Sequence, residues 1–225
     1  MSNRYEKVLS TIIVVAIVAM ATAFVHRQFA EQSGSVVRTP LTPPKMIENW
    51  RDVAANGVAL GDPTAPIQVV EFSDLECSFC ARFHAERWPA VQREFGRQVS
   101  LVFVHFPLSN HRFATPSARA AECAAKQGRF SEYVEAVFRK QDSLGLRGWS
   151  DYARDAGVRD TTQFSACARS KEAMPRIDSG RAIGARLGVQ GTPALMVNGW
   201  LFGTSPSDSV LMQTIRAILD RKDPF

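Results

Sequence analysis

The stretch Cys77-Ser78-Phe79-Cys80 decides the fold of this chain because of where it stands. It follows an apolar run with strand character, Ile67-Gln68-Val69-Val70-Glu71-Phe72, and precedes a helical pattern that extends to Gly96. At the N-terminus of a helix, unpaired backbone N–H groups and the helix dipole favour a thiolate on the first cysteine. Since the thiolate is the form that attacks disulfides, the cysteine pair predicts a redox-active site.

A second motif, Gly191-Thr192-Pro193, stands far downstream at the start of another strand pattern, Ala194–Val197. The turn Asn198-Gly199 then predicts a hairpin. The other patterns are a buried strand over 99–104, helices from a Thr115-Pro116 start to residue 187, and a last helix over 207–221. The order of elements is therefore βαβ, a helical insertion, and ββα.

The charge of the chain argues against one class of function. The 225 residues include 27 basic and 22 acidic side chains, which give a net charge of +5. The basic residues are spread along the chain without a run, whereas a nucleic-acid-binding surface needs them clustered on one face. We therefore expect a generally basic surface and no nucleic-acid partner.

The N-terminal residues predict a targeting segment. Residues 8–25 are uncharged and mostly apolar, short for a spanning helix and long for the apolar part of a signal peptide. We expect an uncleaved transmembrane anchor with residues 1–7 in the cytoplasm, while cleavage would release a secreted soluble form. Either way the remainder is exported. A tether over 26–46 then leads to a folded domain over 47–222.

Export changes the interpretation of the four cysteines. In an oxidising compartment two disulfides are plausible. One alternative is a zinc site built from all four thiolates, but such sites usually contain two close pairs and this chain has only one. A cysteine on a helix can also be simply a small buried apolar residue.

Taken together, these motifs resemble the DsbA-like thiol-disulfide oxidoreductases, whose thioredoxin fold is interrupted by a helical domain. The resemblance covers residues 50–222. It rests on Gly61-Asp62-Pro63 leading into Ala65-Pro66-Ile67, on Glu71-Phe72-Ser73-Asp74 before the cysteine motif, and on Gly188-Val189-Gln190-Gly191-Thr192-Pro193 with Asn198-Gly199 beyond. It implies an α/β, thioredoxin-like fold (βαβ–helical insertion–ββα) behind an N-terminal transmembrane or signal-anchor helix, with the insertion at about 113–187.

The same resemblance implies roles for individual residues. Cys77 would be the exposed nucleophile and Cys80 its buried partner. A cis peptide between Thr192 and Pro193 would face the two cysteines. Glu71, which lies in an apolar strand, would accept or relay the proton of Cys80, and the alternative is an edge glutamate in water.

Export and the related chains both favour a structural disulfide between Cys123 and Cys167 in the helical insertion. Near the cysteine motif, Asp74 and Glu76 are expected to raise the pKa of the nucleophilic cysteine. The four histidines show no metal-binding spacing, and we assign them no chemistry, His84 included.

Ser78-Phe79 also departs from the Pro-His pair of strongly oxidising DsbA members. It lacks a histidine whose charge would stabilise the thiolate, so an extremely low thiol pKa and a strongly oxidising potential do not follow from the motif.

These features predict a single-pass enzyme of a bacterial inner membrane that faces the periplasm and exchanges disulfides with exported polypeptides. We expect a monomeric, disulfide-donating oxidase that a membrane partner of the DsbB or vitamin-K-reductase type reoxidises. The cysteine pair holds the electrons, so no dissociable cofactor and no metal are expected. One alternative is a reductase or isomerase with the same site. Another is a non-catalytic binder of copper or zinc, although no methionine- or histidine-rich tract accompanies the pair.

Overall fold

The computed structural model describes residues 43–225, together with Met20 and Thr22. The predicted anchor over 8–25 lies outside the described residues apart from these two, and so does the predicted tether up to residue 42. In the part of the chain that the structure describes, no helix is long and apolar enough to cross a membrane.

From Ile67 onwards the described elements follow the predicted order, and two short strands and a helix that the sequence did not predict precede them. The strands are β1 (Lys45–Met46), β2 (Val58–Leu60), β3 (Ile67–Ser73), β4 (Val99–His105), β5 (Ala194–Val197) and β6 (Trp200–Leu201). The helices are α1 (Trp50–Ala55), α2 (Ser78–Arg82), α3 (Trp88–Phe95), α4 (Ala114–Ala125), α5 (Phe130–Arg139), α6 (Trp149–Asp155), α7 (Thr161–Arg169), α8 (Pro175–Leu187) and α9 (Asp208–Leu219). A π-helical turn (Phe83–Arg87) joins α2 to α3, and short 3-10 helices occupy Gly96–Gln98 and Gln141–Ser143.

The six strands form one mixed sheet in the order β1-β6-β5-β3-β4-β2. The central strand β3 runs parallel to β4, with Ile67 opposite Val99 and Ser73 opposite His105, and antiparallel to β5. Because both faces of β3 are covered, its sequence is nearly continuous in apolar residues rather than alternating. At the edge, β1 pairs with β6, so the sheet includes two residues that the sequence had placed in the tether.

Helices cover both faces of the sheet. On one face the π-helical turn, α3 and α9 bury Phe83, Trp88 and Ile215 against the strands. On the other face α1 and α8 pack against β3, β4 and β5. A β-carbon at Gly180 of α8 would lie 2.2 Å from the carbonyl oxygen of His105, so only glycine allows this close approach of the helix to β4.

The helices α4 to α8 lie between β4 and β5 in the chain, and their shared core includes Tyr133, Tyr152 and Phe164. The same core includes Cys77 and Cys80, so the insertion packs directly on the cysteine motif. This placement leaves the redox turn between the sheet and the insertion.

Two local predictions need correction. Helix α4 begins at Ala114 and not after a Thr115 cap, because the backbone N–H of Phe113 at the N-cap donates to the Glu76 carboxylate (2.5 Å). The helix predicted over 77–95 contains a π-helical turn. Pro89 follows that turn and has no N–H for the carbonyl four residues earlier, which explains the local widening.

Candidate active site

The two cysteines of the motif sit at the end of β3, where the chain turns into α2. Cys77 is the N-cap residue of α2, and Cys80 lies within its first turn. Both are present as free thiols, with Cys77 5% exposed and Cys80 fully buried. The expectation that Cys77 is exposed therefore needs correction: both residues are buried in the reduced protein, because Cys77 packs against the Thr192-Pro193 loop, although only Cys77 keeps a small exposed fraction.

The surroundings of Cys77 favour its thiolate. A hydrogen bond with the Cys80 thiol makes the largest contribution and lowers the pKa of Cys77 to about 5, against a desolvation effect of the opposite sign. Further contributions come from the Thr192 side chain and from the backbone N–H groups of Cys80 and Phe79 at the start of α2. The first turn of the helix thus acts as the sequence predicted.

Cys80 shows the opposite behaviour. Its burial is the largest cause of a raised pKa, and the hydrogen bond with Cys77 and the charge of Glu71 act in the same direction. The reduced pair therefore contains one thiolate and one thiol over a wide range of pH. Such an asymmetric pair has a nucleophile that is ready to attack and a partner that keeps its proton until the second step.

The Thr192-Pro193 loop faces Cys77. The peptide bond between Thr192 and Pro193 is cis, and the Cys77 thiol donates a hydrogen bond to the carbonyl oxygen of Thr192 (3.3 Å). The Thr192 hydroxyl is buried without another partner among the described residues. It is therefore placed to donate to the sulfur once Cys77 ionises, in agreement with its contribution to the lowered pKa.

Glu71 is fully buried beneath the cysteines and is not at a solvated edge. One of its carboxylate oxygens accepts a hydrogen bond from the Ser73 hydroxyl (2.8 Å), and the other lies 2.7 Å from Nε2 of His84. The side chain of His84 is 9% exposed, and its ring packs on Phe138 with 4.5 Å between the ring centres.

His84 is thus a site residue that the sequence reasoning had left without a role. The available signal was its position four residues after Cys80, on the same face of the helix, above a strand that carries a buried glutamate.

The expectation that Asp74 and Glu76 oppose the thiolate is wrong for the arrangement seen here. Asp74 is buried, and its carboxylate accepts hydrogen bonds from the backbone N–H groups of Glu76 and Leu108 (2.8 and 2.9 Å) and contacts His111 (2.8 Å). The Glu76 carboxylate accepts a hydrogen bond from the backbone N–H of Phe113, the N-cap residue of α4. Neither carboxylate is among the causes that shift the pKa of Cys77, because both point to the loops that flank the site.

A residue of the insertion also holds the redox turn, and no local sequence signal indicated it. The Gln141 side-chain amide donates to the carbonyl oxygens of Leu75 (2.8 Å) and Cys77 (3.1 Å). These bonds fix the backbone that carries the nucleophile from the side of the helical domain.

A groove of about 700 Å³ is lined by Thr192 and Pro193, and the carbonyl oxygen of Thr192 accepts the hydrogen bond from Cys77. Its apolar lining includes Phe79, which is 62% exposed and carries the Arg82 guanidinium 5.1 Å above its ring. The groove is large and apolar enough to hold an extended polypeptide segment, and Thr192 in its wall is in contact with the nucleophile Cys77.

The remaining two cysteines are bonded to each other. Cys123 of α4 and Cys167 of α7 form a disulfide with an S–S distance of 2.04 Å across a sequence separation of 44 residues. Their sulfurs are therefore not available as zinc ligands. Among residues 43–225, Met20 and Thr22, no group of three or more His, Cys, Asp or Glu side chains is arranged to hold a metal ion.

Comparison with known proteins agrees with this geometry. A family model described as thioredoxin matches residues 54–219. Among solved structures, DsbA2 of Pseudomonas aeruginosa is 27% identical, with a TM-score of 0.59 over 72% of this chain and 93% of that one. A thioredoxin-like oxidoreductase of Silicibacter pomeroyi is 28% identical, with a TM-score of 0.60 over 75% and 94%. BdbD of Bacillus subtilis, at 20% identity, has the same fold with a TM-score of 0.67 over 80% and 97%.

The curated relatives are of another kind. The Na(+)/H(+) antiporter NhaA 1 of Mycolicibacterium gilvum is 39% identical over 145 residues, which are 62% of this chain and 23% of that protein. The antiporter NhaA of Herminiimonas arsenicoxydans is 32% identical over 62% and 22%. The chain thus spans less than a quarter of the length of these relatives.

The chain belongs to the thioredoxin family, as a DsbA-like thiol-disulfide oxidoreductase with a helical insertion.

Proposed function

We propose that this enzyme is a disulfide-donating oxidase of exported polypeptides, with its catalytic domain outside the cytoplasm. The observation that carries the proposal is the difference between the two thiols, since the pKa of Cys77 is lowered to about 5 while that of Cys80 is raised. A nucleophile that is ionised at neutral pH stabilises the reduced form of the pair relative to its disulfide.

The sign of this effect follows from the pKa of Cys77, which falls from an ordinary 9.0 to about 5 in the folded reduced protein. Ionisation of Cys77 stabilises the reduced form fully above pH 9, where an ordinary thiol would also be ionised. This stabilisation is lost as the pH falls through 5, where Cys77 itself becomes protonated. At pH 7 it amounts to about 3 kcal/mol. The disulfide form gains nothing because it has no thiol to ionise, so the pair becomes more oxidising by about 60 mV.

In the proposed reaction a substrate thiolate attacks the Cys77 sulfur of the Cys77–Cys80 disulfide. Cys80 leaves as a thiolate and takes up a proton, for which the buried Glu71 is the nearby donor and acceptor. A second substrate thiolate then displaces Cys77, which leaves as its stabilised thiolate. The substrate gains a disulfide and the enzyme holds the two electrons, so no dissociable cofactor is needed.

The substrate lies in the groove beside Thr192 and Pro193, where the backbone of Thr192 is available to an extended chain once the Cys77 thiol no longer donates to it. The enzyme acts as a monomer, and a membrane oxidase of the DsbB or vitamin-K-reductase type reoxidises it. The Cys123–Cys167 disulfide supports an extracytoplasmic location because such bonds persist in oxidising compartments. An N-terminal anchor over 8–25 would keep the domain at the membrane.

The test is transfer of a disulfide to a reduced, unfolded protein that contains disulfides in its native state. The oxidised full-length chain is mixed with this substrate at pH 7, and both redox states are followed by thiol labelling. We expect each enzyme molecule to become reduced as one substrate disulfide forms. A substrate that keeps its thiols while the enzyme remains oxidised would contradict the oxidase direction and favour a reductase.

A further inference from the structure

The buried position of Cys80 raises the question of how its proton reaches solvent. Cys80 is fully buried, and each exchange cycle adds or removes its proton. On the proposed function, a bound polypeptide covers the groove at Thr192 and Pro193 and bonds to Cys77 during the reaction. The proton therefore needs a route that does not pass through the substrate groove.

Glu71 acts on the Cys80 thiol through its charge, and its hydrogen bonds lead away from the cysteine pair. One oxygen of this carboxylate accepts the Ser73 hydroxyl, and the other lies 2.7 Å from Nε2 of His84. Among the described residues these are the hydrogen-bonded neighbours of the carboxylate, and only the imidazole can both give and take a proton near neutral pH. His84 lies in the π-helical turn that follows α2, and such turns are frequent at functional sites.

His84 reaches solvent on the other side of the helix. His84 lines a cleft of about 650 Å³ between the π-helical turn and α5, and we call it the rear cleft. The other lining residues include Gly61, Ala81, Trp88, Glu135 and Phe138. The rear cleft and the substrate groove have no lining residue in common. A polypeptide held in the groove therefore leaves the rear cleft open to water.

We propose that His84 carries the proton of Cys80 between Glu71 and water in the rear cleft. When Cys80 leaves the disulfide as a thiolate, His84 gives a proton to the Glu71 carboxylate, Glu71 passes it to Cys80, and His84 is reprotonated from the rear cleft. When the reduced Cys80 attacks a mixed disulfide on Cys77, the Cys80–Cys77 bond forms, the substrate leaves as a thiolate, and the proton moves outward along the same path.

Few other charges face this path. Besides His84, the ionisable residues that line the rear cleft are Glu135 and Arg139 of α5, and on the inner side the path ends at Cys80 and Cys77. Glu135 and Arg139 pair with each other at 3.3 Å and are largely exposed.

The test separates the two thiol steps with the reduced full-length chain and dithiobis(nitrobenzoate). Cys77 attacks first and releases one thionitrobenzoate, and Cys80 then resolves the mixed disulfide and releases a second. We expect H84Q, whose amide still donates to Glu71, to leave the first release unchanged and to slow the second about tenfold at pH 7. E71Q should slow the second release at least as much, because it removes the carboxylate that links His84 to Cys80. S73A is the matched control, since it removes a hydrogen bond of similar length from the same carboxylate and should change the second rate less than about twofold.

Imidazole provides a readout that a structural role would not affect. H84A leaves a space that opens on the rear cleft, and added imidazole should restore its second release several-fold, with no effect on the unsubstituted protein at equal ionic strength. A second release in H84Q within twofold of the parent rate, or H84A that imidazole does not accelerate, would overturn the relay. Failure of the first release would instead contradict the nucleophilic role of Cys77 and so the proposed function.

Discussion

Replacing Cys77 with serine is expected to abolish disulfide exchange, with a loss of more than about a thousandfold in rate. The Cys77 sulfur is both the nucleophile and the atom that bonds to the substrate, and a serine hydroxyl can neither ionise near neutral pH nor form a disulfide. The measurement is turnover in a glutathione buffer, in which reduced glutathione recycles the enzyme when a disulfide substrate is reduced and oxidised glutathione recycles it when a dithiol substrate is oxidised.

The matched control is C80A. This variant keeps the nucleophile but lacks the resolving thiol, so it should lose turnover and yet accumulate a mixed disulfide with a disulfide-containing substrate, visible as a mass increase on a non-reducing gel. Its thiol should also titrate above pH 5, because the hydrogen bond with Cys80 makes the largest contribution to the lowered pKa of Cys77. Capture of substrate by C77S through Cys80 would contradict the assignment of the two roles.

Removal of the second disulfide is expected to have the largest effect on stability. The variant C123A/C167A should lower the free energy of unfolding by about 4 kcal/mol, because the bond closes a loop with a sequence separation of 44 residues between α4 and α7. For a protein of this size the midpoint of thermal unfolding should fall by roughly 8–16 °C.

Thermal and denaturant unfolding of the oxidised proteins measure this change. The single variant A166G, in the interior of α7 beside the disulfide, is the control for a helix defect alone and should cost about 1 kcal/mol. A loss below 1 kcal/mol in the double variant would show that the bond does not constrain the unfolded chain.

The elements that carry the site were predictable because their signals are local. The apolar strand before the cysteines, the helix start at Cys77 and the strand after Pro193 each depend on residues adjacent in sequence, and β3, α2 and β5 lie where these patterns place them. The Asn198-Gly199 turn is a similar case, since both residues have positive φ and join β5 to β6.

The partners of the buried carboxylates were not predictable in the same way. Glu71 meets His84 across 13 residues, and Asp74 meets His111 across 37, in contacts that exist only once the helix and the loops pack on the sheet. The same limit applies to Gln141, which reaches the redox turn from the insertion. From the sequence, Asp74 was expected to act on Cys77 because it is near in the chain, whereas the fold turns its carboxylate to a loop.

The measurement that tests the central claim most directly is the reduction potential of the Cys77–Cys80 pair between pH 6 and 8, by equilibration with glutathione and thiol labelling. The account predicts a potential at least about 60 mV more oxidising at pH 7 than the roughly −270 mV of a reducing pair, and a fall of about 30 mV per pH unit because reduction takes up two electrons and one proton. A potential near about −270 mV with a slope of about 60 mV per pH unit would mean that both thiols are protonated, and would contradict a thiolate-stabilised oxidase.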